Sequence, residues 1–147
     1  MTRKLLIVVA VLAVIGLSLA AQSKNPLVGV WKLAEIDGKP VAGESVYIFT
    51  PRYFTRVHTL EKTRPPYKDA AKPTTDEIVA AYNTITANAG TYEISGDTFV
   101  VNVAIAKNPG NRGVSQQKRP FKVDGKTLTY TETVQGQLHT VKLTRLE

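Results

Sequence analysis

Short runs of alternating apolar and polar residues, each ended by turn residues, cover most of the chain after residue 26. In such a run one set of side chains faces the core and the other faces solvent, which is typical of a half-buried β-strand. Clusters of Gly, Pro, Asn and Asp separate the runs and are typical of tight turns. The pattern predicts eight strands, over residues 27–36, 45–50, 53–60, 91–94, 98–106, 116–123, 127–134 and 138–146.

Residues 74–88 differ, because their apolar side chains recur at intervals of three and four residues. This is the period of a helix with one apolar face. We expect Thr75 to be the N-cap, and Asp76 and Glu77 suit the positive end of the helix dipole. The preceding residues 61–73 contain three prolines and four basic residues, which favours an exposed loop.

Eight antiparallel strands can close into a barrel, which removes every sheet edge and leaves an interior that can hold a small ligand. The expected fold class is therefore all-β, an up-and-down barrel of eight antiparallel strands. The helix follows the third predicted strand, and we expect it to act as a plug or lid over one end. A shift of one residue between neighbouring strands would reverse which side chains face inward.

The first twenty residues have the three parts of a secretory signal peptide. Arg3 and Lys4 precede an apolar run over residues 5–17, and small residues stand three and one positions before a cut after Ala20. The run is shorter than the roughly 20 apolar residues of a membrane-spanning helix. We expect residues 1–20 to be removed and residues 21–147 to form the barrel domain, periplasmic or secreted and without stable membrane insertion. A retained anchor is the alternative.

Composition narrows the function classes. The chain has 147 residues, 19 Lys and Arg against 12 Asp and Glu, and no Cys. The absence of Cys excludes a disulfide framework and a thiolate metal site. The basic residues are spread along the chain, which argues against a nucleic-acid partner. The only two histidines, His58 and His139, lack the spacing of a metal site, and we expect neither a metal nor another cofactor.

Gly29-Val30-Trp31 lies on the first predicted strand. A Gly-x-Trp in this position resembles the lipocalins, which are calycin-type barrels. The resemblance implies that Trp31 closes the floor of the barrel and that Arg145, near the end of the last strand, packs across the indole. A guanidinium on an indole face contributes about 0.5–2 kcal/mol and excludes water from the closed end.

The chain is more closely similar to the bacterial lipocalin-like domain family, over nearly all of residues 21–147. The motifs that carry this similarity are Leu27-Val28-Gly29-Val30-Trp31, Asp76-Glu77, Gly90-Thr91-Tyr92-Glu93, and Pro109 with Gly113, Gln116, Arg119 and Arg145. That family often carries a His on the strand before the Pro loop, where this chain has Val101 and Asn102. The resemblance therefore gives no support for proton transfer or metal binding by such a histidine.

Polar residues on the predicted strands supply candidates for a site inside the barrel. Neither face of residues 53–60 is cleanly apolar. If Phe54 points inward, Arg56 and His58 line the interior, and the alternative is that both face solvent. On the strand over residues 98–106 the more apolar face carries Phe99, Val101, Val103 and Ile105.

On residues 127–134 the threonines form the polar face, so Glu132 is expected to point inward. A lone buried carboxylate costs several kcal/mol, so Glu132 requires Arg119, Arg56 or a ligand as a partner. The alternative is that Glu132 lies in water at the barrel mouth. The side chains expected to bind a ligand are Tyr47, Arg56, His58, Tyr92, Arg119, Tyr130 and Glu132.

Three functions fit these residues. The first is a binding module that holds a small apolar or amphipathic molecule inside the barrel, with Arg119 or Arg56 fixing an acidic head group. The second is a barrel enzyme of the cyclase or isomerase type, with Glu132, Tyr130 and His58 as acid or base. The third is a ligand-free envelope interaction protein with a solid barrel. Ligand identity and oligomeric state are not indicated by the sequence.

Overall fold

The computed structural model describes residues 25–62, 64–111 and 117–147, and the predicted signal peptide lies outside them. These residues form antiparallel strands, one α-helix and a short 3₁₀ turn at Pro109–Asn111. The elements are β1 Gly29–Ile36, β2 Lys39–Pro40, β3 Ser45–Phe49, β4 Tyr53–Thr59, α1 Thr75–Asn83, β5 Ile85–Ser95, β6 Thr98–Ala106, β7 Lys118–Asp124, β8 Thr127–Val134 and β9 Gln137–Arg145.

Strand β1 pairs with both β3 and β9, so eight strands close a ring. From β3 to β9 each strand pairs with the next one along the chain. The two-residue strand β2 only extends a hairpin from the end of β1. The predicted fold class, an eight-stranded antiparallel barrel with a short helix after its third strand, is confirmed.

The barrel has two ends. The floor is the end that contains Phe49 and Arg145, and the mouth is the end that contains Thr59, Ala106 and Val134. Among the described residues, the largest fully buried side chains are those of Leu27, Trp31, Leu33, Leu128 and Leu143. Aromatic rings pack edge to face or stacked beside them, namely Phe49, Phe54, Tyr92, Phe99, Phe121 and Tyr130.

Trp31 and Arg145 pair across β1 and β9 at the floor. The Cζ atom of Arg145 lies 3.9 Å from the centroid of the Trp31 ring. Its guanidinium also donates to two backbone carbonyl groups, at 2.6 and 2.8 Å. Gly29 has a φ of +143°, and a Cβ there would overlap Nη1 of Arg145. The structure thus brings together the three residues that the sequence analysis assigns to the floor.

The N-cap of α1 is Thr74, and the prediction of Thr75 was wrong. The Thr74 hydroxyl accepts a hydrogen bond from the backbone N–H of Glu77 at 3.3 Å, and the Glu77 carboxylate accepts one from the Thr74 N–H at 2.9 Å. This reciprocal pair is a capping box. The box requires an acidic or amide residue three positions after the cap, and that spacing selects Thr74.

Helix α1 ends at Asn83 and does not extend to residue 88. Residues 84–86 are Thr, Ile and Thr, whose β-branched side chains favour a strand, and β5 begins at Ile85 and pairs with β4. No side chain of α1 is buried, so the helix does not plug the barrel. Within the described residues, no helix is long and apolar enough to cross a membrane.

A bulge interrupts the pairing of β5 with β6. Ala89 pairs with Ile105 and Gly90 pairs with Val103, which leaves one extra residue on β6. Simple alternation puts Ile105 on the same face as Val103, but the bulge reverses the alternation. Val103 is buried and Ile105 is 72% exposed. A Cβ at Gly90 would overlap the backbone oxygen of Asn102, so only glycine allows this close approach.

Candidate functional site

Strand β4 turns Phe54, Arg56 and His58 toward the barrel interior. Phe54 is buried in the core, whereas Val57 on the other face is exposed. The interpretation in which Arg56 and His58 line the interior is therefore correct, and the one in which both face solvent is wrong.

Strands β7 and β8 bring Arg119 and Glu132 to the same interior space. Both residues are buried. They lie on the inward faces of their strands, together with Leu128 and Tyr130 of β8. Glu132 does not lie in open water, because its side chain is only 10% exposed.

Glu132 forms ion pairs with two arginines. Nη1 of Arg56 lies 3.2 Å from each carboxylate oxygen, and Nε of Arg119 lies 3.3 Å from Oε2. The arginine side chains are 21% and 9% exposed, respectively. We call these three residues the Arg–Glu–Arg cluster. Arg119 and Glu132 lie on the neighbouring strands β7 and β8, whereas Arg56 lies on the distant strand β4, so the contact between Arg56 and Glu132 exists only in the closed barrel.

Backbone and amide oxygens hold the two guanidinium groups in place. When the Asn88 amide is oriented with its oxygen toward Arg56, that oxygen accepts from Nε at 3.1 Å and from Nη2 at 3.2 Å. Asn88 pairs directly with Arg56 in the β4–β5 register. On the other side, Nη1 of Arg119 donates to the backbone oxygen of Gln117 at 3.2 Å. The cluster is therefore fixed in position before any ligand arrives.

Electrostatics favour the charged forms of Glu132 and Arg56. Burial disfavours the ionised form of Glu132, but the nearby charges of Arg56 and Arg119 outweigh burial, and the pKa of Glu132 is lowered. Burial also works against the Arg56 cation, and the negative charge of Glu132 reverses this effect and raises the pKa of Arg56. Arginine stays protonated in proteins. At neutral pH the cluster thus holds two positive charges and one negative charge.

Tyr47, His58 and Tyr130 extend the polar interior next to the cluster. The Tyr47 hydroxyl lies 3.0 Å from Nδ1 of His58, and the two rings are stacked. Burial, helped by the charge of Arg56, lowers the pKa of His58 to about 4. Burial raises the pKa of Tyr47 to about 12 and raises the pKa of Tyr130 well above its usual value. At pH 7 the imidazole is therefore neutral and both phenols are protonated.

Two spaces adjoin the cluster. A cleft of about 470 Å³ opens at the mouth, and Arg56, Arg119 and Glu132 are among the residues that line it. An interior cavity of only about 30 Å³ lies beside Tyr47 and Tyr130 and shares Arg56 and Arg119 with the cleft. Binding pockets for small molecules have volumes of roughly 300–1,000 Å³, whereas about 30 Å³ holds one or two water molecules. Of these two spaces next to the cluster, the cleft is the one that is large enough for a ligand.

Tyr92 lies apart from the other candidate residues. Its hydroxyl donates to the backbone oxygen of Thr50 at 2.5 Å and accepts from the Asn25 amide at 2.7 Å. Its ring packs against Phe49 near the floor. The structure therefore brings together six of the seven predicted ligand-binding residues and leaves Tyr92 near the opposite end.

Sequence reasoning missed the amides around the cluster. Asn88 stood inside the predicted helix, where its pairing with Arg56 was hidden. The β-branched residues 84–86 are the signal that would have moved it to a strand. Asn108 and Asn111 line the cleft from the segment after β6, and Gly and Pro in that segment had indicated only a turn.

Binding of an anion is the chemistry that the cluster supports. A guanidinium presents several N–H donors in one plane, which suits carboxylate or sulfate. Across residues 25–62, 64–111 and 117–147, no three His, Asp or Glu side chains come together to hold a metal ion. None of Glu132, His58, Tyr47 and Tyr130 has a pKa shifted toward 7.

Comparison with known proteins returned no match to a family model, to a curated protein or to a solved structure. The similarity to the bacterial lipocalin-like domain family therefore stays a prediction, based on the motifs quoted above.

Proposed function

We propose that the protein binds a small amphipathic molecule with an acidic head group, and that the mouth cleft is its binding site. The observation that carries this proposal is the Arg–Glu–Arg cluster at the base of the cleft, where one carboxylate faces two guanidinium groups. The cleft, and not the barrel interior expected from the sequence, is the proposed binding site, because the interior cavity is only about 30 Å³.

The cleft offers both kinds of contact that an amphipathic acid requires. Arg56 and Arg119 are positioned to bind the acidic group, and the amide side chains around them supply further hydrogen bonds. Val103 and Val134 also line the cleft. Covering apolar surface stabilises a complex by about 25 cal/mol per Å², so contacts with these residues add to the affinity that the charges provide.

Native mass spectrometry of the protein from its own host tests this proposal. We expect a bound small molecule, or uptake of the fluorescent acid 11-(dansylamino)undecanoate by the empty protein. Arg56→Gln should weaken uptake of this probe by about tenfold or more, since hydrogen bonds to charged groups contribute about 1.5–3 kcal/mol.

Arg52→Gln is the matched control for the native-mass experiment. Arg52 is an exposed arginine in the turn between β3 and β4 at the floor, so its loss should leave uptake unchanged. A protein that is always empty and takes up no acid would contradict the proposal.

A ligand-free interaction protein is the second candidate function, and the filled barrel interior favours it. Ligand uptake distinguishes it from the first candidate function, because an interaction protein with a filled barrel should take up neither the dansyl acid nor any host molecule. The enzyme hypothesis has less support. A general acid or base works best with a pKa near the operating pH, whereas the pKa of His58 is about 4 and that of Glu132 is lowered.

We further propose that residues 1–20 direct export and that the domain is a member of the bacterial lipocalin-like family. The basic start, the apolar run and the small residues before Ala21 support export. The barrel and its Gly29–Trp31–Arg145 floor support the family assignment. The intact mass of the protein from its host tests export. A chain beginning at Ala21 is expected, and a retained leader would contradict it.

A further inference from the structure

The charges of the described residues at the mouth cleft are not balanced. Arg56 and Arg119 contribute two positive charges, and Glu132 contributes one negative charge. The other described residues that line the cleft are uncharged: Asn88, Val103, Asn108, Asn111, Gln117, Thr133, Val134 and Gln135. Among the described residues, the cleft therefore has an excess of one positive charge beside side chains that are largely withdrawn from water.

The barrel is filled beneath the cluster. The interior cavity of about 30 Å³ is walled by Tyr47, Phe54, Phe99, Val101 and Tyr130, together with the two arginines. A hydrocarbon chain of even a few carbons does not fit into that volume. A ligand held at the cluster therefore cannot place its apolar part deeper in the barrel.

An apolar side chain, Val134, lies in the opposite direction, on β8 at the mouth. Val134 lines the cleft and is 47% exposed. Leu138 pairs with Thr133 and shares its face, which is the outer face of the barrel, so it does not line this exit. An apolar group that leaves the cleft toward the mouth meets Val134.

We infer that the cleft takes a monoanionic amphiphile, such as an alkyl carboxylate, head first. The carboxylate binds at Arg56 and Arg119 at the base of the cleft, and the apolar tail points out of the mouth past Val134. This inference rests on the proposed function, and it adds the charge of the ligand and its orientation.

The charge of the ligand follows from the net charge of the Arg–Glu–Arg cluster, which is one positive charge. One added negative charge balances the cluster, whereas a dianion would leave a net negative charge and a cation would add a third positive charge. An uncharged head group would leave the excess charge uncompensated in a partly buried place, where electrostatic interactions are stronger than in bulk water. The site therefore discriminates by charge number as well as by sign.

The length of the alkyl chain of the ligand tests the orientation. Calorimetric titration of the exported chain with hexanoate, octanoate and decanoate measures the gain for each added methylene. A fully buried methylene is worth about fourfold in affinity, which is 0.8 kcal/mol converted at 1.4 kcal/mol per tenfold. With the tail directed out of the mouth, we expect less than about twofold per methylene. A gain of about fourfold for every added methylene, which is about sixteenfold between successive acids, would overturn the head-first orientation.

Head-group chemistry tests the charge at constant tail length. At pH 8, octanoate is a monoanion, octyl phosphate is a dianion, octylamine is a cation and octanol is neutral. We expect octanoate to bind at least about tenfold more tightly than each of the other three. Equal affinity for octanoate and octanol would overturn the charge selection.

Glu132→Gln provides the reciprocal test. It raises the excess charge from one to two, so we expect octyl phosphate to gain about tenfold or more relative to octanoate. The matched control is Glu35→Gln, which removes a carboxylate that pairs with Lys142 at 2.8 Å outside the cleft. The control should leave the preference unchanged. If Glu132→Gln does not fold, the two titration series on the unaltered chain still decide the inference.

These experiments separate two failures. If none of the four octyl compounds and no dansyl acid binds, the proposed function fails and this inference fails with it. If the compounds bind without regard to charge, or gain about fourfold per methylene, the barrel is a binding protein and only the inference is wrong.

Discussion

Gly29 lies directly beneath the guanidinium of Arg145, which in turn covers the indole of Trp31. A Cβ at position 29 would overlap Nη1 of Arg145 and would lie 2.5 Å from the backbone oxygen of Glu147. We expect Gly29→Ala to lower the free energy of unfolding by about 2–4 kcal/mol, because it adds this clash to an unfavourable φ. Urea denaturation, followed by the fluorescence of the single Trp, measures the change.

Gly96→Ala is the matched control for Gly29→Ala. Gly96 also has a positive φ, +61°, but an added Cβ there meets no atom within 4 Å. Its cost should be about 1 kcal/mol, which is the cost of the left-handed conformation alone. Equal losses for Gly29→Ala and Gly96→Ala would show that the backbone conformation, and not Arg145, explains the glycine.

His58 should make stability depend on pH. Its pKa is about 4 in the folded chain and 6.5 as a free side chain. Between these values the unfolded chain binds a proton that the folded chain does not, so stability falls as the pH falls from 6.5 to 4. We expect His58→Gln to reduce this loss by about 1–2 kcal/mol, after allowance for the partial exposure of the ring. Denaturation at each pH gives the difference between variant and parent.

Direct titration checks the same claim. The chain has two histidines, so His139→Gln leaves a single imidazole signal in the NMR spectrum, that of His58. This signal should titrate near pH 4, and Arg56→Gln should raise its pKa only part of the way, since burial is the main cause of the shift and Arg56 the second. An imidazole that titrates near its ordinary value would contradict the buried, neutral state.

Individual residues were predictable from the sequence where their chemistry required a partner. Glu132 was expected to need Arg56 or Arg119 because a buried carboxylate must be paired, and both pairings are present. The direction of His58 was not predictable, because polar and apolar residues occur on both faces of β4. Which face of β4 points inward is fixed only when the barrel closes and Glu132 comes to lie opposite Arg56.

Helix α1 is held by its cap and contributes nothing to the core. Thr74→Ala removes one half of the capping box with Glu77, which is worth about 1 kcal/mol. We expect amide exchange in α1 to rise about fivefold, while the free energy of global unfolding changes by less than about 0.5 kcal/mol, because no side chain of the helix is buried. Thr75→Ala is the control and should change neither. A larger effect of Thr75→Ala would restore Thr75 as the cap.

The strands were predictable as elements because turn residues and alternation mark both of their ends. The start of β5 was not predictable from periodicity, because Ile78, Tyr82 and Ile85 continue the helical spacing past the true end of the helix. Pairing of Ile85 with Thr59 overrides that spacing. The bulge at Gly90 was hidden for a similar reason, since it depends on the register between two strands rather than on either strand alone.

The closed barrel was predictable as a whole because eight antiparallel strands can remove their edges by closing. The amount of space inside was not predictable, because it depends on how the ring side chains interlock. Phe99 illustrates this. Its ring lies 5.4 Å from that of Tyr130, 5.7 Å from Phe121 and 6.2 Å from Phe49, measured between centroids, and it also walls the interior cavity.

Phe99→Ala should convert the filled barrel into a hollow one. Deleting a buried Phe ring costs about 3–5 kcal/mol. Because this ring borders the cavity of about 30 Å³, the space it leaves should join that cavity and hold a benzene molecule, as apolar engineered cavities of about 150 Å³ do. We expect benzene to raise the melting temperature of Phe99→Ala by mass action and to leave the parent chain unchanged. Phe121→Ala, which removes a ring outside the cavity wall, should gain nothing. Stabilisation of the parent by benzene would mean that its interior already opens to apolar molecules, and an apolar ligand would then belong inside the barrel rather than in the cleft.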